Sequence, residues 1–143
     1  HVHPHPHEPI SDHGREPRPE YRILEQAMRE LLQCNQWDRA GEWLTDKYIQ
    51  HNPNAETGIA GFKAYFQAAG LKPTEVKPTL DNLVAIQAEG DYVTLSFSRE
   101  YDDPNNAGKK YTTTWFDMFR IDGGKIAEHW DSATMAVRAP AKK

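Results

Sequence analysis

The spacing of apolar residues divides the chain into a helical half and a strand half. From Tyr21 onward, apolar residues recur every three to four positions, which predicts an amphipathic helix; they are Ile23, Leu24, Ala27, Met28, Leu31 and Leu32. Two further helices are predicted at 38–44 and 58–69, with a short extended segment at 48–53 between them. After Pro73 the period falls to two, which predicts strands at 75–87, 92–101, 111–121 and 125–135.

This order of elements predicts an α+β domain over residues 21–136. Helices followed by a run of strands indicate three N-terminal helices packed on one face of a strongly curved antiparallel sheet. The segment 122–125, Asp-Gly-Gly-Lys, is typical of a tight hairpin joining the last two strands. Residues 137–143 are predicted to form a loose C-terminal end.

The first twenty residues have a different composition and are predicted to be a flexible tail. They contain five of the ten prolines and five of the seven histidines. His1, His3, His5 and His7 alternate, so an extended chain would present them on one side, where imidazoles suit Cu(II), Ni(II) or Zn(II). The alternative is a solvated linker with incidental metal affinity. The chain begins with His, which fits either a mature terminus or a start within a longer chain; the first alternative predicts an exported protein, periplasmic or extracellular, whose signal peptide has been removed.

Charge, hydropathy and cysteine content exclude several classes of function. The net charge is −4 with no basic block, which argues against a nucleic-acid partner. No apolar run is long enough to span a membrane. The single cysteine, Cys34, excludes an intramolecular disulfide and a thiolate-cluster metal site. Aliphatic residues are few, but fifteen aromatic residues (four Trp, six Tyr, five Phe) supply large surfaces for a core.

Four polar residues fall on strand faces that are otherwise apolar. Arg99 shares a face with Phe97, and Asp117 lies between Trp115 and Phe119 on its strand. A carboxylate in such a place must be paired or have a raised pKa, so Asp117 is either a structural partner, for example of Arg99, or part of a site. His129 and Asp131, at i and i+2, are either a base with an orienting neighbour or a solvated edge pair. Whether Asp117 and Asp131 face one cavity depends on the hairpin length, which periodicity leaves open.

Three motifs resemble the SnoaL-like polyketide cyclase family of the nuclear-transport-factor-2-like superfamily. They are Tyr-Ile-Gln-His-Asn-Pro at 48–53, Asp-Met-Phe-Arg-Ile-Asp-Gly-Gly-Lys-Ile at 117–126, and Glu-His-Trp-Asp at 128–131. The resemblance covers about residues 21–135. It implies a cone of three helices closing over a bent sheet, an apolar cavity between them, and dimerisation through the outer sheet face. Many relatives carry a histidine on the strand at 95–101, and here Arg99 is the nearest polar substitute.

The resemblance also implies a function and a set of site residues. Asp131 corresponds to the general acid/base of an aldol-type ring closure that needs no cofactor, and His51 and Arg99 are expected to orient the substrate or stabilise an enolate. The expected ligand pocket comprises Tyr48, Asn52, Trp115, Asp117, Phe119 and Trp130. The expected partners are an apolar small molecule and a second copy of the chain, as a homodimer or larger homo-oligomer. The alternative hypotheses are a non-catalytic ligand-binding or self-assembling module and a metal-handling protein that acts through its tail.

Overall fold

The computed structural model describes residues 19–137 and consists of short helices followed by a five-stranded sheet. The predicted histidine tail, including His1, His3, His5 and His7, and most of the predicted C-terminal end lie outside the described residues. The helical elements are α1 (Pro19–Ala27), a π-helical turn (Met28–Gln33), a 3-10 turn (Trp37–Arg39), α2 (Ala40–Trp43) and α3 (Gly58–Ala68). The strands are β1 (Leu44–Gln50), β2 (Leu83–Glu89), β3 (Tyr92–Asp102), β4 (Lys110–Asp122) and β5 (Lys125–Asp131). Within 19–137, no helix has the length and apolar character needed to cross a membrane.

The sheet has the order β1-β5-β4-β3-β2, and the predicted α+β cone is confirmed. The pairs β2–β3, β3–β4 and β4–β5 are antiparallel, as predicted. The sheet is nevertheless mixed rather than antiparallel throughout, because β1 pairs in parallel with β5. The chain between them passes through α3 and three strands before it returns beside β1, which is the long crossover that parallel pairing requires.

The core lies between the helices and the inner face of the sheet. The apolar stripe of α1 and the π-helical turn is buried, with Leu24 and Leu31 almost fully enclosed. These side chains pack in one cluster with Leu95 from β3 and Ile126 from β5. Burial of this stripe, rather than intrinsic propensity, therefore stabilises the short helices.

Several predicted element boundaries are wrong. The second helix ends at Trp43, and Leu44 already begins β1. The strand predicted at 75–87 begins only at Leu83, because side chains of the first helical region bind the preceding backbone instead. Gln33 donates to the Thr79 carbonyl and Arg29 to the Lys77 carbonyl. The last strand ends at Asp131 rather than at 135.

A β-bulge in the last hairpin decides which side chains of β5 face the helices. Gly123 and Gly124, both with positive φ, form a two-residue turn, so Asp122 pairs with Lys125. The register then shifts by one residue between Arg120 and Ile121. As a result both Ile126 and Ala127 are buried, and Asp131 pairs directly with Asp117. Without the extra residue, the opposite face of β5 would turn inward.

Candidate functional site

A cavity of about 580 Å³ lies between the helices and the inner face of the sheet. This volume suits a small organic ligand. Its apolar wall comes mainly from the first helical region, α3 and the sheet, and includes Met28, Leu31, Phe62, Phe66, Phe97 and Phe119. Its polar wall is built by β1, the residues after it, β4 and β5, and consists of Tyr48, Gln50, Asn52, Asp117, His129 and Asp131.

Asp131, at the end of β5, is held in place by two hydrogen bonds. The side-chain amide of Asn52 donates to Oδ2 at 2.7 Å, and the backbone N–H of Ala133 donates to Oδ1 at 3.0 Å. The side-chain oxygen Oδ1 of Asn52 accepts from the backbone N–H of Asn54, so its side-chain nitrogen must point towards Asp131. Both oxygens of Asp131 thus accept hydrogen bonds.

Asp117 and His129 form a buried pair beside Asp131. Their side chains are 7% and 8% exposed, and Nε2 of His129 lies 2.8 Å from Oδ1 of Asp117. The indole N–H of Trp115 donates to the other oxygen of Asp117 at 3.1 Å. Nε2 of His129 is also 3.9 Å from Oδ2 of Asp131. One imidazole nitrogen therefore faces two carboxylates; we call Asp117, His129 and Asp131 the cavity triad.

Tyr48 is a buried phenol on the same inner face of β1 as Gln50. Its hydroxyl lies 3.0 Å from the side-chain nitrogen of Gln50, which donates to it. Burial, and then the negative charges of Asp117 and Asp131, raise the pKa of Tyr48 well above its usual range. The phenol is therefore a neutral hydrogen-bond donor throughout the physiological pH range.

Arg99 lies at the rim of the cavity rather than beside the cavity triad. Its guanidinium carbon is 4.1 Å from the centroid of the Trp115 ring, a cation–π contact. Trp115 in turn donates to Asp117, so the indole connects the arginine to the cavity triad.

His51 lies on the outer side of the sheet. Its ring stacks on Trp130 with the centroids 4.7 Å apart, and its Nε2 lies 2.7 Å from Oε2 of Glu128. Glu128 also accepts from Arg120 at 2.9 Å. The hydrogen bonds from His51 and Arg120 hold the pKa of Glu128 below its usual range. His51, Trp130, Glu128 and Arg120 therefore form a network on the outer face of the sheet, separate from the cavity.

The family model for the SnoaL-like domain matches residues 25–129 of the chain. The chain belongs to the SnoaL-like family. This confirms the resemblance carried by the motifs at 48–53, 117–126 and 128–131. A comparison with curated proteins finds no match.

Solved structures similar to this SnoaL-like protein include proteins of several different kinds. A candidate polyketide cyclase from Acidithiobacillus ferrooxidans is 20% identical, with a TM-score of 0.58, over 80% of this chain and 87% of that one. An LEH-like epoxide hydrolase from M. tuberculosis is 19% identical, with a TM-score of 0.53, over 79% and 80%. A de novo designed protein with a curved β-sheet is 18% identical, with a TM-score of 0.54, over 81% and 85%. At these identities the comparisons establish the fold, and the chemistry must be argued from the site.

The structure brings together most of the residues predicted for the SnoaL-like site. Among them, Asp131, Asn52, Tyr48, Asp117, Trp115 and Phe119 line the cavity, with Arg99 at its rim. His51 and Trp130, also predicted for the site, lie on the outer face instead. The predicted set lacks Gln50, and the sequence predicts His129 only as one of two alternatives, a base beside Asp131 or part of a solvated edge pair. The alternation of Tyr48, Gln50 and Asn52 along the extended segment, which places His51 on the opposite side, is the signal in the sequence that could have found Gln50.

Among the described residues, the cavity triad also has donor atoms placed where they could hold a metal ion. One ligand atom from each of its three residues lies within 4.8 Å of the other two. A neutral imidazole and two carboxylates would together balance a divalent cation. The same three atoms are equally suited to hold and transfer a proton.

Proposed function

We propose that this protein is a small-molecule enzyme that transfers a proton at a carbon next to a carbonyl group, leading to aldol-type cyclisation or to isomerisation. The observation that carries the proposal is the composition of the cavity triad. It contains a carboxylate with both oxygens accepting hydrogen bonds, Asp131, and within 3.9 Å of it an imidazole that also contacts a second carboxylate. A base and an acid in one cavity are what such a reaction requires.

Asp131 is the proposed base. Asn52 and Ala133 hold its carboxylate and leave lone pairs for a substrate C–H bond. Removal of that proton sends the electron pair to the carbonyl oxygen and forms an enolate. The neutral phenol of Tyr48 is the proposed hydrogen-bond donor to the enolate oxygen. Arg99, at the rim, is proposed to bind a polar group at the far end of the substrate.

The His129–Asp117 pair is the proposed acid. In cyclisation the enolate carbon attacks a second carbonyl carbon, a C–C bond forms, and the new alkoxide takes the proton of the pair. The proton held by Asp131 then returns to the pair, so no proton is gained or lost overall. In isomerisation the proton returns from Asp131 to a different carbon. Because every step is a proton transfer or a C–C bond formation, the reaction needs no organic cofactor.

The cavity wall supports an apolar substrate that contains a ring. The wall opposite the polar groups is formed by aromatic and aliphatic side chains, including Phe62, Phe66 and Phe97. Such a surface stabilises a bound ring by burial and by edge or face contacts between aromatic groups. A benzo-fused cyclic ketone such as 2-tetralone combines an apolar aromatic ring with an acidic C–H next to a carbonyl, and it is therefore a suitable probe.

The test is deuterium exchange into 2-tetralone in D₂O, followed by proton NMR. Wild-type protein should accelerate exchange, and Asp131→Asn should reduce the acceleration about 100-fold or more. Asp46→Asn, at an exposed position of β1, is the matched control and should behave as wild type. Full activity in Asp131→Asn, or no acceleration by the wild type, would contradict the proposal. If tryptophan fluorescence shows that 2-tetralone binds tightly but NMR shows no exchange, the alternative of a non-catalytic ligand-binding module would be supported.

A further inference from the structure

Gln50 touches three groups of the cavity at once, and the proposed mechanism gives it no role. It ends β1, and its backbone N–H is anchored to the hydroxyl oxygen of Thr57 at 3.1 Å. Its side chain contacts the backbone of Asn52, the ring of His129 and the hydroxyl of Tyr48. We infer that Gln50 is a positioning residue that determines where the protons of His129 and Tyr48 lie. The effect on the reaction rests on the proposed function; the proton positions do not.

The orientation of the Gln50 amide is fixed by a backbone group. The N–H of Asn52 donates to the Oε1 position at 2.9 Å, and a backbone N–H can only donate. The atom at that position must therefore be the amide oxygen. The side-chain nitrogen then points to the other partner, the Tyr48 hydroxyl at 3.0 Å.

The fixed oxygen determines the tautomer of His129. Oε1 of Gln50 lies 2.7 Å from Nδ1, and since that oxygen only accepts, Nδ1 must carry a hydrogen. One further proton is then shared between Nε2 and Oδ1 of Asp117, which are 2.8 Å apart. The other oxygen of Asp117 already accepts from Trp115. The His129–Asp117 pair thus holds a single transferable proton, on the side that faces the cavity.

The fixed nitrogen determines the direction of the Tyr48 hydroxyl. Because Gln50 donates to the phenol oxygen, the phenol's own proton has to point elsewhere. Within residues 19–137, no hydrogen bond uses that proton, and Tyr48 lines the cavity. It is therefore available to a bound ligand. The side-chain amide of Gln50 thus orients both proton donors of the cavity, the His129–Asp117 pair and the Tyr48 hydroxyl.

The test reads the proton on His129 directly. In the ¹⁵N-labelled full chain at neutral pH, long-range ¹H–¹⁵N correlations distinguish a protonated Nδ1 from a protonated Nε2. The ring is assigned through its contact with Phe119, whose centroid is 4.8 Å away. We expect a protonated Nδ1 in the wild type. In Gln50→Leu the neutral ring should move its proton to Nε2, because Nδ1 then lacks the Gln50 acceptor while Nε2 still faces Asp117 at 2.8 Å.

A second variant separates the two roles of Gln50. Gln50→Glu keeps an acceptor for Nδ1 but replaces the donor to Tyr48 by an oxygen that captures the phenol proton. It should retain the wild-type tautomer and still catalyse deuterium exchange with kcat reduced about ten-fold and KM nearly unchanged. Gln87→Leu, at an exposed position of β2, is the control and should change neither readout.

The outcomes distinguish this inference from the proposed function. A neutral Nε2-protonated ring in the wild type would overturn the inference, as would a Gln50→Leu variant that keeps its Nδ1 proton. An unchanged exchange rate in Gln50→Glu would overturn the part that concerns Tyr48. If 2-tetralone shows no exchange with any form of the protein, the proposed function fails while the tautomer measurement still decides the role of Gln50.

Discussion

Replacing Asp117 by Asn and by Leu should have very different effects on stability, although both remove the charge. If Gln50 holds the proton of His129 on Nδ1, a neutral His129 offers a lone pair at Nε2. An asparagine at 117 satisfies both neighbours: its amide nitrogen donates to Nε2 and its oxygen accepts from Trp115. We therefore expect Asp117→Asn to change the free energy of unfolding by less than about 1 kcal/mol.

Leucine at the same position satisfies neither neighbour. The lone pair of His129 and the indole N–H of Trp115 each lose a partner, at roughly 1–3 kcal/mol for a buried group. Trp115 is only partly buried, so the lower part of that range applies to it. The expected destabilisation of Asp117→Leu is about 2–3 kcal/mol, a shift of about 1–2 M in the urea midpoint.

Urea unfolding followed by circular dichroism measures both variants, with the m-value as a check on two-state behaviour. Equal destabilisation by Asn and Leu would refute the reasoning, because it would mean that Nε2 carries a hydrogen and requires a carboxylate. Both variants should lose the proposed aldol step, since neither retains the transferable proton that the new alkoxide takes up. Stability and activity are therefore expected to separate in Asp117→Asn.

Three further predictions concern the scaffold and the cavity. Gly61→Ala should destabilise the protein by about 1–3 kcal/mol in thermal unfolding, because the added Cβ would lie 2.5 Å from the Glu56 carbonyl oxygen; an unchanged midpoint would contradict this close contact. The raised pKa of Tyr48 means that the folded state holds its phenol proton more tightly than the unfolded state, so stability should fall as the pH rises above about 10. Tyr48→Phe should remove that part of the loss in urea titrations at about pH 9 and 11, and an identical loss in the variant would refute the assignment. Exhaustive chelation should leave exchange activity unchanged, whereas activity restored only by Zn²⁺ or Mn²⁺ would make the cavity triad a metal site.

The architecture could be predicted from sequence because helices and strands differ in period. The stripe from Ile23 to Leu32 and the alternation in β3 and β4 are strong local patterns, and they predict the helices, the long strands and the fold class. Residues 75–82 are wrongly predicted as part of a strand. Its backbone is bound by Gln33 and Arg29 from a distant element, and such long-range hydrogen bonds leave no period in the sequence.

The site could be predicted only in part because a single bulge determines its composition. Buried Ile126 and Ala127 are consecutive, and this one-residue shift turns His129 and Asp131 inward and Trp130 outward. Alternation alone does not reveal where a bulge falls, so the sequence favours the histidine of the motif at 48–53 over His129. The sequence likewise predicts β1 only in part, as an extended segment at 48–53 rather than a strand from Leu44 to Gln50. In this segment Tyr48 and Gln50 face inward and His51 does not.

The central claim is that the cavity holds an ionised base, Asp131, beside a pair with one transferable proton. Neutron diffraction from perdeuterated crystals measures this directly. The account predicts deuterium on Nδ1 of His129 and on the Tyr48 hydroxyl, one deuterium between Nε2 and Asp117, and none on Asp131. Deuterium on the carboxylate of Asp131, or a bare Nδ1, would contradict it.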